Sequence, residues 1–277
     1  MTPVFSVICV YNNAEKFRRC LLAGLEGQTA SFELIAEDNS GGKFKSAAQG
    51  LTTLAKKATG QYLLFIHQDV KLPSKKWLAD AEQLLANLPA LAIAGIAGTT
   101  AAKNSPRLLF TTDPNPVKIS YSFAPDEPEP KIAENEKPVQ AETLDEQLLI
   151  IPAAEFAMRH FDENVCGGWH LYGADYALSA ARDGLKAYIL PLAAEHDSEG
   201  TLNADYFNTL QKLFSKHADK NLIGTTCGLW HRRNFANLTA LFCLSVRSRI
   251  AKLRGRNKKG SAPYRAALRW FFSHLFS

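Results

Sequence analysis

The tripeptide His67-Gln68-Asp69 follows an apolar run at residues 62–66 and precedes Val70-Lys71-Leu72-Pro73. A carboxylate at the carboxyl end of an apolar strand constrains a chain strongly, because open α/β sheets bind ligands in the crevice outside those ends. Two further apolar runs end in the same way. Residues 5–10 lead into Tyr11-Asn12-Asn13, and residues 32–36 lead into Glu37-Asp38-Asn39-Ser40-Gly41-Gly42. Three strands that deliver polar groups from one sheet edge define a site.

Helical periodicity fills the gaps between these strands. Asn13 is placed to cap a helix reaching Glu26, with Phe17, Leu21, Leu22 and Leu25 on one face. A second helix is predicted over 46–58, a third over 73–87, and a further strand over 91–96. The alternation predicts a doubly wound, mostly parallel sheet with right-handed crossovers. After Gly98 the pattern changes. Residues 99–116 are polar and turn-rich, 117–123 alternate like an exposed strand, and 124–138 form an acidic, proline-rich excursion. Strands at 147–151 and 187–190 and helices at 174–182 and 203–217 complete the body.

The length of 277 residues suits one large α/β domain with an appendage. Charge divides the chain. From Lys220 onward there are 12 Lys and Arg and no Asp or Glu, so the first 219 residues hold 20 basic and 27 acidic side chains. The predicted organisation is an α/β body at 1–222 and a basic tail at 223–277, with amphipathic helices at 235–253 and 262–276. Five widely spaced cysteines without a C-x-x-C pair predict free thiols in a reducing compartment. No run of about 18 apolar residues predicts a membrane span, and no basic leader precedes the first strand. A cytoplasmic location is expected. A tail rich in Arg, Phe and Trp would add peripheral contact with an anionic membrane at the inner face of the cell membrane.

Ser6-Val7-Ile8 with Tyr11-Asn12, Glu37-Asp38-Asn39-Ser40, Ala58-Thr59-Gly60-Gln61-Tyr62, His67-Gln68-Asp69-Val70, Gly173-Ala174-Asp175-Tyr176 and His196-Asp197-Ser198 occur in that order. Together they resemble the inverting family 2 glycosyltransferases of GT-A fold, over residues 4–217. The resemblance is to the branch whose metal motif reads His-Gln-Asp-Val. It implies a metal-dependent hexosyltransferase that moves a sugar from a nucleotide-diphosphate donor, a UDP-sugar foremost, to a hydroxyl of a glycan or lipid-linked acceptor. Polysaccharide or lipopolysaccharide biosynthesis is the implied setting.

The resemblance also implies roles. Asp69 and His196 would hold Mn2+ or Mg2+, which offsets the charge of the departing diphosphate. Asp38 would read the base by accepting from an imide N–H, beside Tyr11, Asn12, Glu37, His67 and Gln68. Asp175 matches the family's general base. Trp169 and His170 would line the acceptor side. His67 and Gln68 stand where acidic residues are common, Ala174 replaces a frequent Glu, and Lys43 or Lys45 are candidates for an otherwise missing positive charge. Plainer roles stay open: Asp69 can cap the turn before Pro73, and Asp175 can cap its helix. A catalytically weakened nucleotide-sugar binder or assembly subunit is the competing function. A dinucleotide-dependent dehydrogenase is disfavoured because Tyr11-Asn12-Asn13 replaces a glycine-rich turn. No nucleic-acid-binding module is recognisable.

Overall fold

The structure, a computed structural model, describes residues 2–100, 118–129, 136–198 and 202–232. Strand β1 (Phe5–Tyr11) ends at Asn13, whose side chain accepts from the backbone N–H groups of Glu15 and Lys16. This cap starts α1 (Ala14–Lys16), which passes through a π-helical stretch, Phe17–Leu22, into α2 (Ala23–Leu25). Then follow β2 (Phe32–Asp38), α3 (Ala47–Ala55), β3 (Tyr62–Ile66), β4 (Val70–Lys71), α4 (Trp77–Leu85) and β5 (Leu91–Gly95). The middle of the chain supplies β6 (Ala97–Thr99), β7 (Lys118–Ser120), β8 (Ser122–Phe123), β9 (Val139–Ala141), β10 (Thr143–Leu144), β11 (Leu148–Pro152) and α5 (Ala153–Met158). Last come α6 (Tyr172–Arg182), β12 (Lys186–Ile189), β13 (Ala194–His196), α7 (Ala204–Lys216), β14 (Leu222–Thr225) and β15 (Gly228–His231).

The main sheet has seven strands in the order β2-β1-β3-β11-β5-β12-β9. β1 pairs in parallel with β2 and β3, and β5 with β12, which is the predicted α/β core. The sheet is nonetheless mixed. β11 lies antiparallel between β3 and β5, and β9 runs antiparallel to β12. Leu148 pairs with Ile66 and Pro152 with Tyr62, so β11 starts at the edge where β3 ends. A strand that enters there needs no helical crossover, and antiparallel pairing follows.

Period-two alternation divides the core. Leu63, Phe65, Leu149 and Ile151 face one side, against Leu51, Leu54, Tyr176 and Leu210. Tyr62, Leu64, Ile66, Leu148 and Ile150 face the other, against Leu21, Trp77, Leu78 and Leu85. Gly60 marks a close approach: a Cβ there would lie 2.6 Å from the Ser6 nitrogen. Its own N–H donates to Ser6 Oγ at 2.8 Å, so the Ala58-Thr59-Gly60 motif docks directly on β1.

Several differences from the sequence reading have local causes. The strand predicted over 117–123 is broken at Tyr121 into β7 and β8. β6, β9 and β10 are two or three residues long, too short to leave an alternating pattern. The hairpin β14–β15 crosses the predicted boundary at 222/223 and packs on the body. Trp230 is buried there, and its Nε1 donates to Thr225 Oγ1 at 3.0 Å. Both predicted tail helices lie outside the described residues, as does part of the 124–138 excursion. Cys9, Cys20 and Cys166 are buried free thiols. Among the described residues, no helix is long and apolar enough to cross a membrane.

Candidate metal and donor site

The turn after β3 places His67 and Asp69 two residues apart. His67 N–H donates to the Gln147 carbonyl at 2.9 Å, and Val70 N–H closes the turn on the His67 carbonyl at 3.3 Å. His196 arrives by strand pairing. β13 runs antiparallel to β4 with His196 opposite Val70, and Asp197 N–H donates to the Asp69 carbonyl at 2.9 Å. One ligand atom from each of His67, Asp69 and His196 therefore lies within 4.8 Å of the others. His196 Nε2 stands 3.4 Å from Asp69 Oδ1 and, although buried, makes no hydrogen bond. Native structures rarely leave a buried polar atom unpartnered without a functional reason. Two imidazoles and one carboxylate form a donor set that suits a divalent ion of the manganese type.

The electrostatics fit the same role. Burial pushes the Asp69 carboxyl up, but the imidazoles of His196 and His67 outweigh this and hold it below the ordinary value. Burial, reinforced by His196, lowers His67 and favours its neutral, ligating form. Lys16 Nζ lies 3.9 Å from Asp69 Oδ2 and donates to the Asp197 carbonyl at 2.7 Å. Arg19, from the π-helical stretch, bonds the Asp197 carboxylate. Positive charge thus reaches the site from the helix after β1. Lys43, the candidate from sequence, pairs instead with Glu37 at 2.7 Å.

The ends of β1 and β2 form the neighbouring wall. Tyr11 opposes Asp38 in the strand register, and its ring stacks on Phe17 at 4.2 Å. Asp38 accepts from Ser40 N–H at 2.8 Å, which lowers its carboxyl. Asn39 is buried and bonds both the N–H and the carbonyl of Phe44, fixing the turn beyond Asp38. Gln68, named as a donor contact from sequence, binds the loop after β1. Its Oε1 accepts from Asn12 and Asn13 N–H at 2.9 and 2.8 Å, and its Nε2 donates to Asn12 Oδ1 at 2.9 Å. Gln68 is the clasp between the β1 and β3 loops.

Asp175, the base that the resemblance implies, is held by protein partners. Its side chain is 3% exposed, and its two oxygens accept from Lys216 Nζ at 2.7 Å and His217 Nε2 at 2.9 Å. It is outside the metal cluster and anchors α6 to the end of α7. The part of α6 that does reach the site is its first residue: Tyr172 Oη lies 3.3 Å from His67 Nε2. Leu171, just before it, is a non-glycine residue at φ 64°, and strain of that kind gathers at functional sites. Trp169 is 41% exposed, and its N–H donates to Asp205 Oδ2 at 3.0 Å. A Cβ on Gly168 would collide with that carboxylate at 1.8 Å. His170 packs edge-on against Tyr206. Sequence reasoning placed His67 among the donor contacts and outside the metal set, although its spacing of two from Asp69 was a usable signal. It also missed Lys16 and the half-buried Glu146, whose backbone carbonyl accepts from Tyr172 Oη.

A GT-A type α/β sheet with a candidate His/Asp metal cluster at the end of its central strand places the molecule among nucleotide-sugar transferase folds. The profile described as "Glycosyltransferase like family" matches residues 6–217, and the chain belongs to that family. It is 25% identical over 223 residues to a Fuscovulum blasticum protein named "ATP synthase subunits region ORF 6", covering 78% of this chain and 84% of that protein. Among solved structures it resembles GalNAc-T7 with UDP, GalNAc and Mn2+, with TM-score 0.50, 11% identity and 76% of this chain covered. It spans about half of that chain, 48%. It also resembles S. aureus TarS 1-349 with UDP, with TM-score 0.50, 15% identity and coverage of 79% and 67%. The mannosyltransferase PcManGT from Pyrobaculum calidifontis, with GDP-Man and Mn2+, matches at TM-score 0.50 and 15% identity, with coverage of 100% and 81%. At these identities the structural matches establish the fold.

Proposed function

We propose that the chain is a metal-dependent inverting glycosyltransferase of the branch with a His-Gln-Asp-Val motif. It would move a sugar from a nucleotide diphosphate, a UDP-sugar foremost, to a hydroxyl of a glycan or lipid-linked acceptor. The observation that carries this reading is the convergence of His67, Asp69 and His196 at the carboxyl end of β3, in a member of this family. These three residues would hold Mn2+ or Mg2+, which when bound offsets the charge of the leaving diphosphate. Lys16 adds positive charge beside Asp69. Tyr11, Asn12, Glu37 and Asp38 border the nucleotide, with Asp38 accepting from the base. Trp169 and His170 face the acceptor. The basic segment 223–277 would hold the enzyme on the anionic inner face of the cell membrane, where polysaccharide or lipopolysaccharide precursors are assembled.

A second reading, a nucleotide-sugar binder of weakened activity, is favoured by one observation. The carboxylate expected to act as base, Asp175, is closed off in ion pairs. One experiment separates the two readings. The full chain is incubated with UDP-glucose, UDP-N-acetylglucosamine, UDP-galactose and GDP-mannose, with and without manganese. Release of nucleoside diphosphate and donor binding are both measured. Manganese-dependent release that Asp69→Ala abolishes supports the transferase. Metal-dependent binding with no release supports the binder, and neither binding nor release overturns both.

A further inference from the structure

A second cleft lies away from the metal cluster. It has a volume of about 550 Å³ and is formed by the residues after α5, the outer turns of α6 and the end of α7. Neither His67, Asp69 nor His196 borders it. Tyr172 meets His67 at the start of α6, whereas Ser179, on the cleft, lies two turns further on, roughly 10 Å along the axis. Its volume falls in the range of small-ligand sites.

Three residues of the cleft carry a buried side-chain atom that makes no hydrogen bond. Tyr176 is 2% exposed and sits among Phe156, Phe161 and the Arg159 guanidinium, which lies 5.8 Å from its ring centroid, and its hydroxyl makes no well-formed hydrogen bond. Ser179 Oγ is likewise buried and without a hydrogen bond, and Arg159 Nη1, also without one, lies 3.8 Å from Glu155 Oε2. All three residues line the cleft. Buried donors of this kind are costly to leave unmade, and three around one cavity are what a ligand with acceptor oxygens would satisfy.

Charge narrows the chemistry. Each cation of the lining already has a carboxylate. Arg159 bonds Asp183, Arg182 lies 3.3 Å from Asp219, and Lys216 is held by Asp162 at 3.0 Å and Asp175 at 2.7 Å. Little unpaired positive charge is left to attract a phosphate or carboxylate group. The wall instead offers carboxylate acceptors beside hydroxyl donors that make no hydrogen bond. A ligand that matches both must donate and accept from adjacent atoms, as the vicinal hydroxyls of a sugar ring do.

We infer that this cleft is a second binding site, for a neutral polyhydroxylated ligand of mono- to disaccharide size, separate from the metal cluster. Asp175, the carboxylate that the resemblance assigns as base, borders the cleft, but no residue of the metal cluster does, and sugar binding is read without turnover, so the two readings fail separately. The test is amide NMR titration of the metal-free full chain with methyl glycosides of glucose, galactose, mannose and N-acetylglucosamine, and with maltose. Inorganic phosphate is titrated in parallel. The expected result is saturable shifts at Tyr176, Ser179 and Arg159 for at least one sugar, with a Kd of about 1 mM or tighter. Ser179→Ala and Tyr176→Phe each remove one unpartnered hydroxyl, so both should fold normally and weaken binding about fivefold. Asp69→Ala should bind as the wild type does. Absence of sugar binding, binding of phosphate in place of sugars, unchanged affinity in both hydroxyl variants, or loss of binding in Asp69→Ala would each overturn the inference. Donor hydrolysis plays no part in this assay, so failure of the transferase reading leaves the result interpretable.

Discussion

Two aspartate–histidine clusters flank α6, and they are built to opposite specifications. Asp175 is closed: its side chain is 3% exposed, and Lys216 and His217 bond it at 2.7 and 2.9 Å. Asp69 is open: its side chain is 14% exposed, His196 stands 3.4 Å away without a hydrogen bond, and Lys16 is at 3.9 Å. The residue types are the same, so residue type does not tell a site from a strut. What differs is whether the protein itself completes the coordination of each polar atom. A saturated buried pair holds the fold together, whereas an unsaturated one awaits a ligand.

The largest effect expected from this contrast is on stability. Asp175→Ala leaves Lys216 with one partner and His217 buried without its acceptor. Removing one member of a buried ion pair costs about 3 kcal/mol. Urea unfolding should show that loss, while manganese affinity stays at the wild-type level. A variant as stable as the wild type would mean that Asp175 is no anchor, and its role as a base would need reconsidering.

Asp69→Ala should give the opposite result. Its contacts are longer and partly solvated, so the metal-free stability should change by less than ~1 kcal/mol. Manganese affinity should fall at least the ~100-fold that even outer-shell changes can reach. Calorimetry on both proteins measures it. Equal manganese affinity in wild type and variant would remove Asp69 from the metal site and dissolve the distinction between the clusters.

Legibility in the sequence followed the same division. Asp69 could be read because it terminates an unbroken apolar strand, and β3 is buried along its whole length. The pairing of His196 with Asp69 rested on family order, since a three-residue strand such as β13 leaves no pattern of its own. The partners of Asp175 were not legible, because a carboxylate in the first turn of a helix looks the same whether its partners are solvent, substrate or a lysine 41 residues later. The clasp made by Gln68 was hidden for a related reason: its partners, Asn12 and Asn13, are more than 50 residues away. The parallel half of the sheet was legible from alternating strands and helices. The antiparallel insertion of β11 was not, because apolar residues at 148–151 fit either direction.

Glu146 lies between the two clusters and gives a pH test of intermediate size. Burial, with the charge of Asp145 added, pushes its carboxyl up to about 8. In the unfolded chain it titrates in the usual carboxylate range, about 4.3. Between these values the native state keeps a proton that the unfolded state releases. The contribution of Glu146 to stability therefore falls as pH rises through that window, and the full penalty is present above pH 8. Glu146→Gln removes the ionisable group. Urea unfolding at pH 5 and pH 8.5 should show that the variant gains stability relative to wild type at the higher pH. An identical pH dependence in both proteins would mean that Glu146 is ionised and solvated in the native state.

The smallest effect belongs to Gln68, which sits beside the open cluster but is itself saturated. Its three hydrogen bonds hold Asn12 and Asn13 against the β3 loop. These bonds are exposed, so water replaces them when the side chain is lost, and Gln68→Ala should cost about 1 kcal/mol in total. Gln68→Glu keeps the acceptor for both backbone N–H groups and loses only the donor to Asn12 Oδ1, so it should cost less than Ala. Because the clasp fixes the loop that carries Tyr11 and Asn12, the Ala variant should also loosen donor binding a few-fold while leaving manganese affinity unchanged. Calorimetry with UDP in the presence of manganese, compared with manganese alone, separates the two. If Gln68→Ala weakens manganese as strongly as Asp69→Ala does, Gln68 belongs to the open cluster, and hydrogen-bond saturation fails as the criterion dividing struts from sites in this protein.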